Sequence, residues 1–69
     1  MAEDTVARIS EISAQSREGF EEAIRVGLQR AQRTLRNVTS AWVKEQRVVV
    51  DGDQLTFQVN MEVTFILEE

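Results

Sequence analysis

From residue 55 to residue 68 the chain alternates apolar and polar side chains almost without interruption. Leu55, Phe57, Val59, Met61, Val63, Phe65 and Leu67 fall on one side; Thr56, Gln58, Asn60, Glu62, Thr64 and Glu68 fall on the other, with Ile66 the exception. A period of two is that of a strand with one buried face. Just upstream, Asp51-Gly52-Asp53-Gln54 has the residues of a hairpin turn. The Val-rich run over 41–50, which carries the only tryptophan, Trp42, supplies the other arm. Further upstream the period changes. Phe20, Ala23, Ile24, Gly27, Leu28, Ala31, Leu35 and Val38 recur every three or four residues, the stripe of an amphipathic helix. Ser16 is the expected N-cap. Glu18, Glu21 and Glu22 near the start, and Arg30, Arg33 and Arg36 near the end, match the helix dipole. Glu21 and Arg25 stand four apart in the favourable order. Asn37 can adopt the left-handed conformation that ends a helix. The pattern predicts a helix over about 17–37, and Gly27 on its stripe predicts close approach of a strand. Over 5–12, Val6, Ile9 and Ile12 predict another strand, although their spacing of three also fits a helix. Residues 1–4 read as a frayed end and 13–16 as a polar connector.

The expected order is therefore β1 (about 5–12), α1 (about 17–37), β2 (about 41–50) and β3 (about 55–68), in one domain over 1–69. A helical crossover makes β1 parallel to β2. With the usual right-handed connection and β3 between them, the sheet is antiparallel throughout, in order 1-3-2, an α+β fold with α1 packed on the apolar face of β3. Such a β3 spans about 46 Å at 3.3 Å per residue, whereas a helix of about twenty-one residues reaches only about 32 Å. One helix cannot cover the strand, and the outer edges of β1 and β2 stay unpaired.

Length sharpens this. Sixty-nine residues bury only about 60% of the surface their unfolded chain exposes. The chain has no Cys and no His, which removes disulfides and the usual zinc ligands. Subunit association is the staple left to it, and the expectation is a homo-oligomer larger than a dimer. Eight Lys and Arg against twelve Asp and Glu give a net charge of −4, which argues against a nucleic-acid or anionic-membrane partner. No apolar run approaches the ~20 residues of a membrane span, and no signal peptide opens the chain. It reads as cytoplasmic.

Candidate chemistry is sparse. Without Cys, His or Tyr, and with no evident base beside any Ser or Thr, catalysis is not expected. Asp51, Asp53 and Glu62 fit three positions of a calcium loop, but Leu55 and Thr56 stand where an oxygen ligand and a glycine are needed. The turn reading prevails. Arg25, Arg33 and Arg36, with Gln29 and Gln32, make a polar helix face that is basic toward its end, which the acidic total assigns to a dipole-matched surface or to ion pairs between subunits. Asn37-Val38-Thr39 is a glycosylation sequon without a secretory context. Gln58 is the polar group of most interest: a mid-strand amide that can donate and accept at the edge of a planar heterocycle. Trp42 offers a flat stacking surface. Whether they share a face depends on the hairpin. A two-residue loop sets Gln58 opposite Arg47 and turns Trp42 away. A three-residue loop sets Gln58 opposite Gln46 and brings Trp42 to its side.

Read as a whole, the chain resembles the dodecin family. The resemblance rests on Ser16 and Phe20-Glu21-Glu22-Ala23-Ile24, on Arg30-Ala31-Gln32-Arg33-Thr34-Leu35-Arg36-Asn37, on Val43-Lys44-Glu45-Gln46-Arg47 and on the run from Phe57 to Glu68. It implies a β-α-β-β protomer, a hollow homododecamer, and non-enzymatic binding of flavin (riboflavin, FMN or FAD) between symmetry-related Trp side chains, for storage and photoprotection. By the same resemblance Gln58 matches the flavin-contacting Gln of the family, and Arg47 matches an Arg near the pocket. Trp42 stands two residues after the family's usual Trp position, which Ser40 holds here. That shift keeps the strand face and moves the indole by about 6.6 Å. Some relatives lack the flavin Trp, and the alternative the resemblance implies is a shell of the same architecture that binds a divalent metal ion or another small ligand.

Overall fold

The alternating run becomes the central strand of a three-stranded antiparallel sheet of order β1-β3-β2. The computed structural model describes residues 4–67, with β1 at Ala7–Ser16, α1 at Phe20–Ala31, β2 at Val38–Asp51 and β3 at Gln54–Ile66. The expected α+β fold, its β-α-β-β order and its strand order are all present. The expected frayed end lies outside the described residues except for Asp4, and so does Glu68.

Element ends differ from the sequence expectation where tertiary pairing overrides local preference. β1 runs on through the expected connector to Ser16 because β3 is long enough to pair it, with Gln15 opposite Gln58 and Ser16 opposite Phe57. Ser16 is therefore not the helix N-cap. Its hydroxyl accepts from the Glu18 amide at 3.0 Å and closes a tight turn. Gly19 takes the N-cap position with φ 150 and no side-chain cap bond, a backbone state that side-chain-bearing residues rarely adopt. The helix is shorter than expected at its other end too. After Ala31 the regular ladder gives way to three-residue turn bonds: the Arg33 amide donates to Arg30 O and the Thr34 amide to Ala31 O, each at 3.2 Å, and the Thr34 hydroxyl donates to Ala31 O at 3.4 Å. Such back-bonding by a β-branched hydroxyl residue competes with helix continuation. Asn37 does adopt the left-handed conformation, with φ 62, but it turns the chain into β2 rather than capping α1.

α1 packs on β1 and β3. Val59, Met61 and Val63 of β3 are fully buried, along with Ala23, and Ala14 and Ala31 are nearly so. Burial of each of the larger side chains stabilises by about 1.5–3 kcal/mol. Phe20 meets Phe57 edge to face, with ring centroids 5.1 Å apart. Gly27 sits where the helix comes closest: a Cβ there would lie 2.7 Å from Met61 Cε and 3.0 Å from Ala14 Cβ. The Glu21–Arg25 ion pair forms at 3.0 Å.

A helix of 12 residues is about 18 Å long, while β3 with 13 residues runs about 43 Å. The chain is accordingly drawn out, 57 × 20 × 14 Å. Toward the hairpin end no helix covers the apolar side, and Val48, Val50 and Leu55 are exposed. The shorter helix thus enlarges the uncovered surface that the lengths of the predicted elements implied.

Candidate functional site

The hairpin register determines what stands beside Gln58. Asp51 pairs with Gln54, leaving Gly52 and Asp53 as a two-residue loop, and Arg47 falls opposite Gln58. Continued without interruption, that register would turn Trp42 toward the helix. It is interrupted. The register shifts between Val43 and Glu45, so Lys44 is an extra residue in β2, and Trp42 falls opposite Glu62. A bulge of this kind rotates everything beyond it by one residue. Trp42 therefore shares a face with Gln58 despite the short loop, which corrects the expected link between loop length and face. A second shift between Val38 and Ser40 returns Val38 to the helix side, opposite Phe65.

The face opposite the helix carries three polar rungs. Gln15, Gln58 and Arg47 form the first, Ser13, Asn60 and Glu45 the second, and Glu11, Glu62 and Trp42 the third. Apart from Gln15, the first two are bonded into a network. Arg47 Nε donates to Gln58 Oε1 at 3.0 Å. Gln58 Nε2 donates to Ser13 Oγ at 3.1 Å and to Asn60 Oδ1 at 3.3 Å. Asn60 Nδ2 donates to Glu45 Oε1 at 2.9 Å. These bonds hold the Gln58 amide with its oxygen toward β2 and its nitrogen toward β1. One lone pair of Oε1 remains open. An open concavity of about 520 Å³ lies here, lined by Glu45, Gln46, Arg47, Gln58 and Asn60.

Trp42 stands on the third rung, 66% exposed. Four residue steps along β3 separate that rung from Gln58, about 13 Å at 3.3 Å per residue. Of the three residues singled out from the sequence, then, Arg47 and Gln58 are in contact, and Trp42 lies on the same face without touching them. Ser13, Glu45 and Asn60, which complete the network, were not singled out as site residues, nor was Lys44 beside the indole; Glu62, also beside it, was weighed only as a position of the rejected calcium loop. Their signal was the polar half of the β3 alternation. Reading it required the register partners in β1 and β2.

The family model for dodecins matches residues 6–68. The chain belongs to the dodecin family. Among solved structures, a dodecin from Streptomyces davaonensis is similar, with a TM-score of 0.90 at 37% identity, covering 96% of this chain and 98% of that one. A Trp-to-Phe variant of Thermus thermophilus dodecin has a TM-score of 0.90 at 39% identity, covering 96% and 100%. A calcium-chelating antigen of Mycobacterium tuberculosis, calcium dodecin, described with a novel calcium-binding site, has a TM-score of 0.83 at 28% identity, covering 93% of each chain. No curated protein matches the chain. Dodecins are small, oligomeric binding and storage proteins.

Other candidate features resolve more simply. Arg25 is engaged by Glu21 at 3.0 Å and approached by Glu22 at 3.7 Å, so that part of the helix face is internally neutralised. Among the described residues no cluster of three or more acidic groups could hold a metal ion within one chain. No described helix is long and apolar enough to cross a membrane.

Proposed function

We propose that this dodecin is a non-enzymatic flavin-binding protein, and that Trp42, Gln58 and Arg47 line the ligand seat where copies of the chain meet in a homododecamer. The observation that carries this reading is the bulge at Lys44, which sets an exposed indole on the same sheet face as an oriented Gln amide. A flavin ring presents a flat π-surface and an edge on which an N–H stands between two carbonyls. The indole suits the surface. Gln58 Oε1, with its open lone pair, suits the N–H, and a ring carbonyl could replace Asn60 at the longer of the two Nε2 bonds. Arg47 steadies the amide and supplies a cation for a phosphate tail. Because Trp42 and Gln58 of one chain are about 13 Å apart along the sheet, the two sides of the seat come from neighbouring copies. The exposed hairpin surface and the unpaired sheet edges support such neighbours. Storage and photoprotection are the roles such a seat serves, in the cytoplasm.

Riboflavin titrated into the purified protein is expected to lose its fluorescence at near-stoichiometric ratios. Trp42→Ala removes the area burial and the roughly 0.5–1.5 kcal/mol of stacking beyond it, and so weakens binding at least about tenfold. Undiminished riboflavin emission in a correctly sized oligomer would reject the reading. The second reading is a shell of the same form that holds calcium or another divalent ion. It is supported by the likeness to calcium dodecin, by Ser40 at the usual Trp position and by Glu11, Glu45 and Glu62 on the open face. With no metal cluster among the described residues of one chain, its ligands would come from two or more copies. A rise in melting temperature with calcium but not with riboflavin would favour it.

A further inference from the structure

We propose that Lys44 is a positioning residue: with Glu62 it closes one face of Trp42 and holds the indole so that only the opposite face can receive a planar guest. This rests on the stacking role proposed for Trp42. An indole that is 66% exposed on an outer strand has little packing to fix it. Here the Lys44 ammonium lies 4.1 Å from the ring centroid, well inside the range at which a cation is attracted to an aromatic face. The same ammonium lies 3.8 Å from Glu62 Oε1, and Glu62 is the register partner of Trp42 across the β2–β3 pair. The three groups thus close a ring: strand pairing fixes Glu62 opposite Trp42, Glu62 anchors the cation, and the cation covers the indole.

The bulge gives this arrangement its origin. Lys44 is the extra residue at the shift between Val43 and Glu45, and its insertion both brings Trp42 to the open face and sets a cation beside it. Lys44 and Glu62 are partly sheltered, with side chains 38% and 28% exposed, so the pair is less screened than one on an open helix surface. Glu11, opposite Glu62 in the β1–β3 pair, is the other charged group on the rung and adds to the negative field that retains the cation. An indole open on both faces could take a guest in two poses. With Lys44 in place, each chain offers one face in one pose.

Trp42 is the only Trp, and the chain has no Tyr, so indole emission from the ligand-free oligomer reports this side chain alone. Lys44→Met keeps a flexible apolar stem and removes the charge. It is expected to raise the acrylamide quenching constant about twofold, as a second indole face opens, and to lower emission anisotropy. Lys44→Arg, whose guanidinium also stacks on aromatic rings, is expected to keep wild-type values, a rescue that loss of mere bulk would not show. Unchanged quenching and anisotropy in a Lys44→Met oligomer of wild-type size would overturn the proposal. Should Lys44→Met fail to assemble, Glu62→Gln decides: it frees the cation from its anchor, so anisotropy must fall, and an unchanged value overturns the clamp. With riboflavin added, Lys44→Met is expected to bind about two- to fivefold more weakly, and Lys44→Arg as wild type. A wild-type oligomer that ignores riboflavin while its variants show the emission changes rejects the flavin reading and upholds the clamp.

Discussion

Replacing Gly27 by Ala sets helix propensity against packing at one position. In a helix interior Ala is favoured over Gly by about 1 kcal/mol, so propensity alone predicts a gain in stability. The new methyl would stand 2.7 Å from Met61 Cε, 3.0 Å from Ala14 Cβ and 3.6 Å from Ile12 Cδ1. Met61 Cε ends a flexible side chain and can swing, but Met61 is fully buried and can move only against its neighbours. Ala14 Cβ is attached to the backbone of β1 and yields only if the strand moves. Overpacking of this kind costs about 1–3 kcal/mol. Packing should therefore win, with a net loss of up to about 2 kcal/mol and a centre near 1. For a domain of this size that is a fall in Tm of about 4–8 °C per kcal/mol. Thermal unfolding followed by circular dichroism measures it, at matched protein concentration because association adds to stability. Met61→Val removes the nearer obstacle, so in that background Gly27→Ala should cost less, and the difference gives the coupling between the two sites. A higher Tm for Gly27→Ala in the wild-type background would refute the close seating of α1 on β1 and β3.

Three further outcomes are expected. Asn37, at φ 62, carries the left-handed turn into β2 and bonds Ile66 O through Nδ2 at 3.4 Å; Asn37→Ala should lose about 1–2 kcal/mol in denaturant unfolding, whereas Asn37→Gly should stay within about 0.5 kcal/mol of wild type. Leu55→Glu places a charge on the uncovered apolar side of the hairpin; light scattering should then find a smaller species with unchanged secondary structure, and an intact large oligomer would exclude that surface from the contacts between copies. Arg47→Ala unties the Gln58 oxygen; because the pair is solvent-exposed, stability should change by less than about 1 kcal/mol, while titration calorimetry should show riboflavin binding weakened severalfold.

Much of the protein was legible in order and period. The alternation from Leu55 to Leu67 placed β3 and its buried face, since Val59, Met61 and Val63 are the fully buried side chains. The three- and four-residue recurrence placed α1, and Gly27 on its stripe announced the close contact that the structure shows. Strand order followed from connectivity and handedness, and the Arg47–Gln58 pairing was one of two registers the turn allowed. These features depend on side chains near one another in sequence, or on rules of chain connection that hold for any chain of this pattern.

Tertiary structure decided the rest. β1 extends to Ser16 because β3 offers pairing partners there, and α1 stops at Ala31, where three-residue bonds from the Arg33 and Thr34 amides replace the helical ladder and the chain turns toward the pairing of Val38 with Phe65. The face of Trp42 was beyond reach of the sequence. A single extra residue at Lys44 inverts it, and the choice between a bulge and a regular ladder depends on how two strands fit over their whole length against a third strand and a helix. Local preference differs little between the two, whereas the burial of Val43 and Ala41 opposite Met61 and Val63 is a property of the assembled sheet.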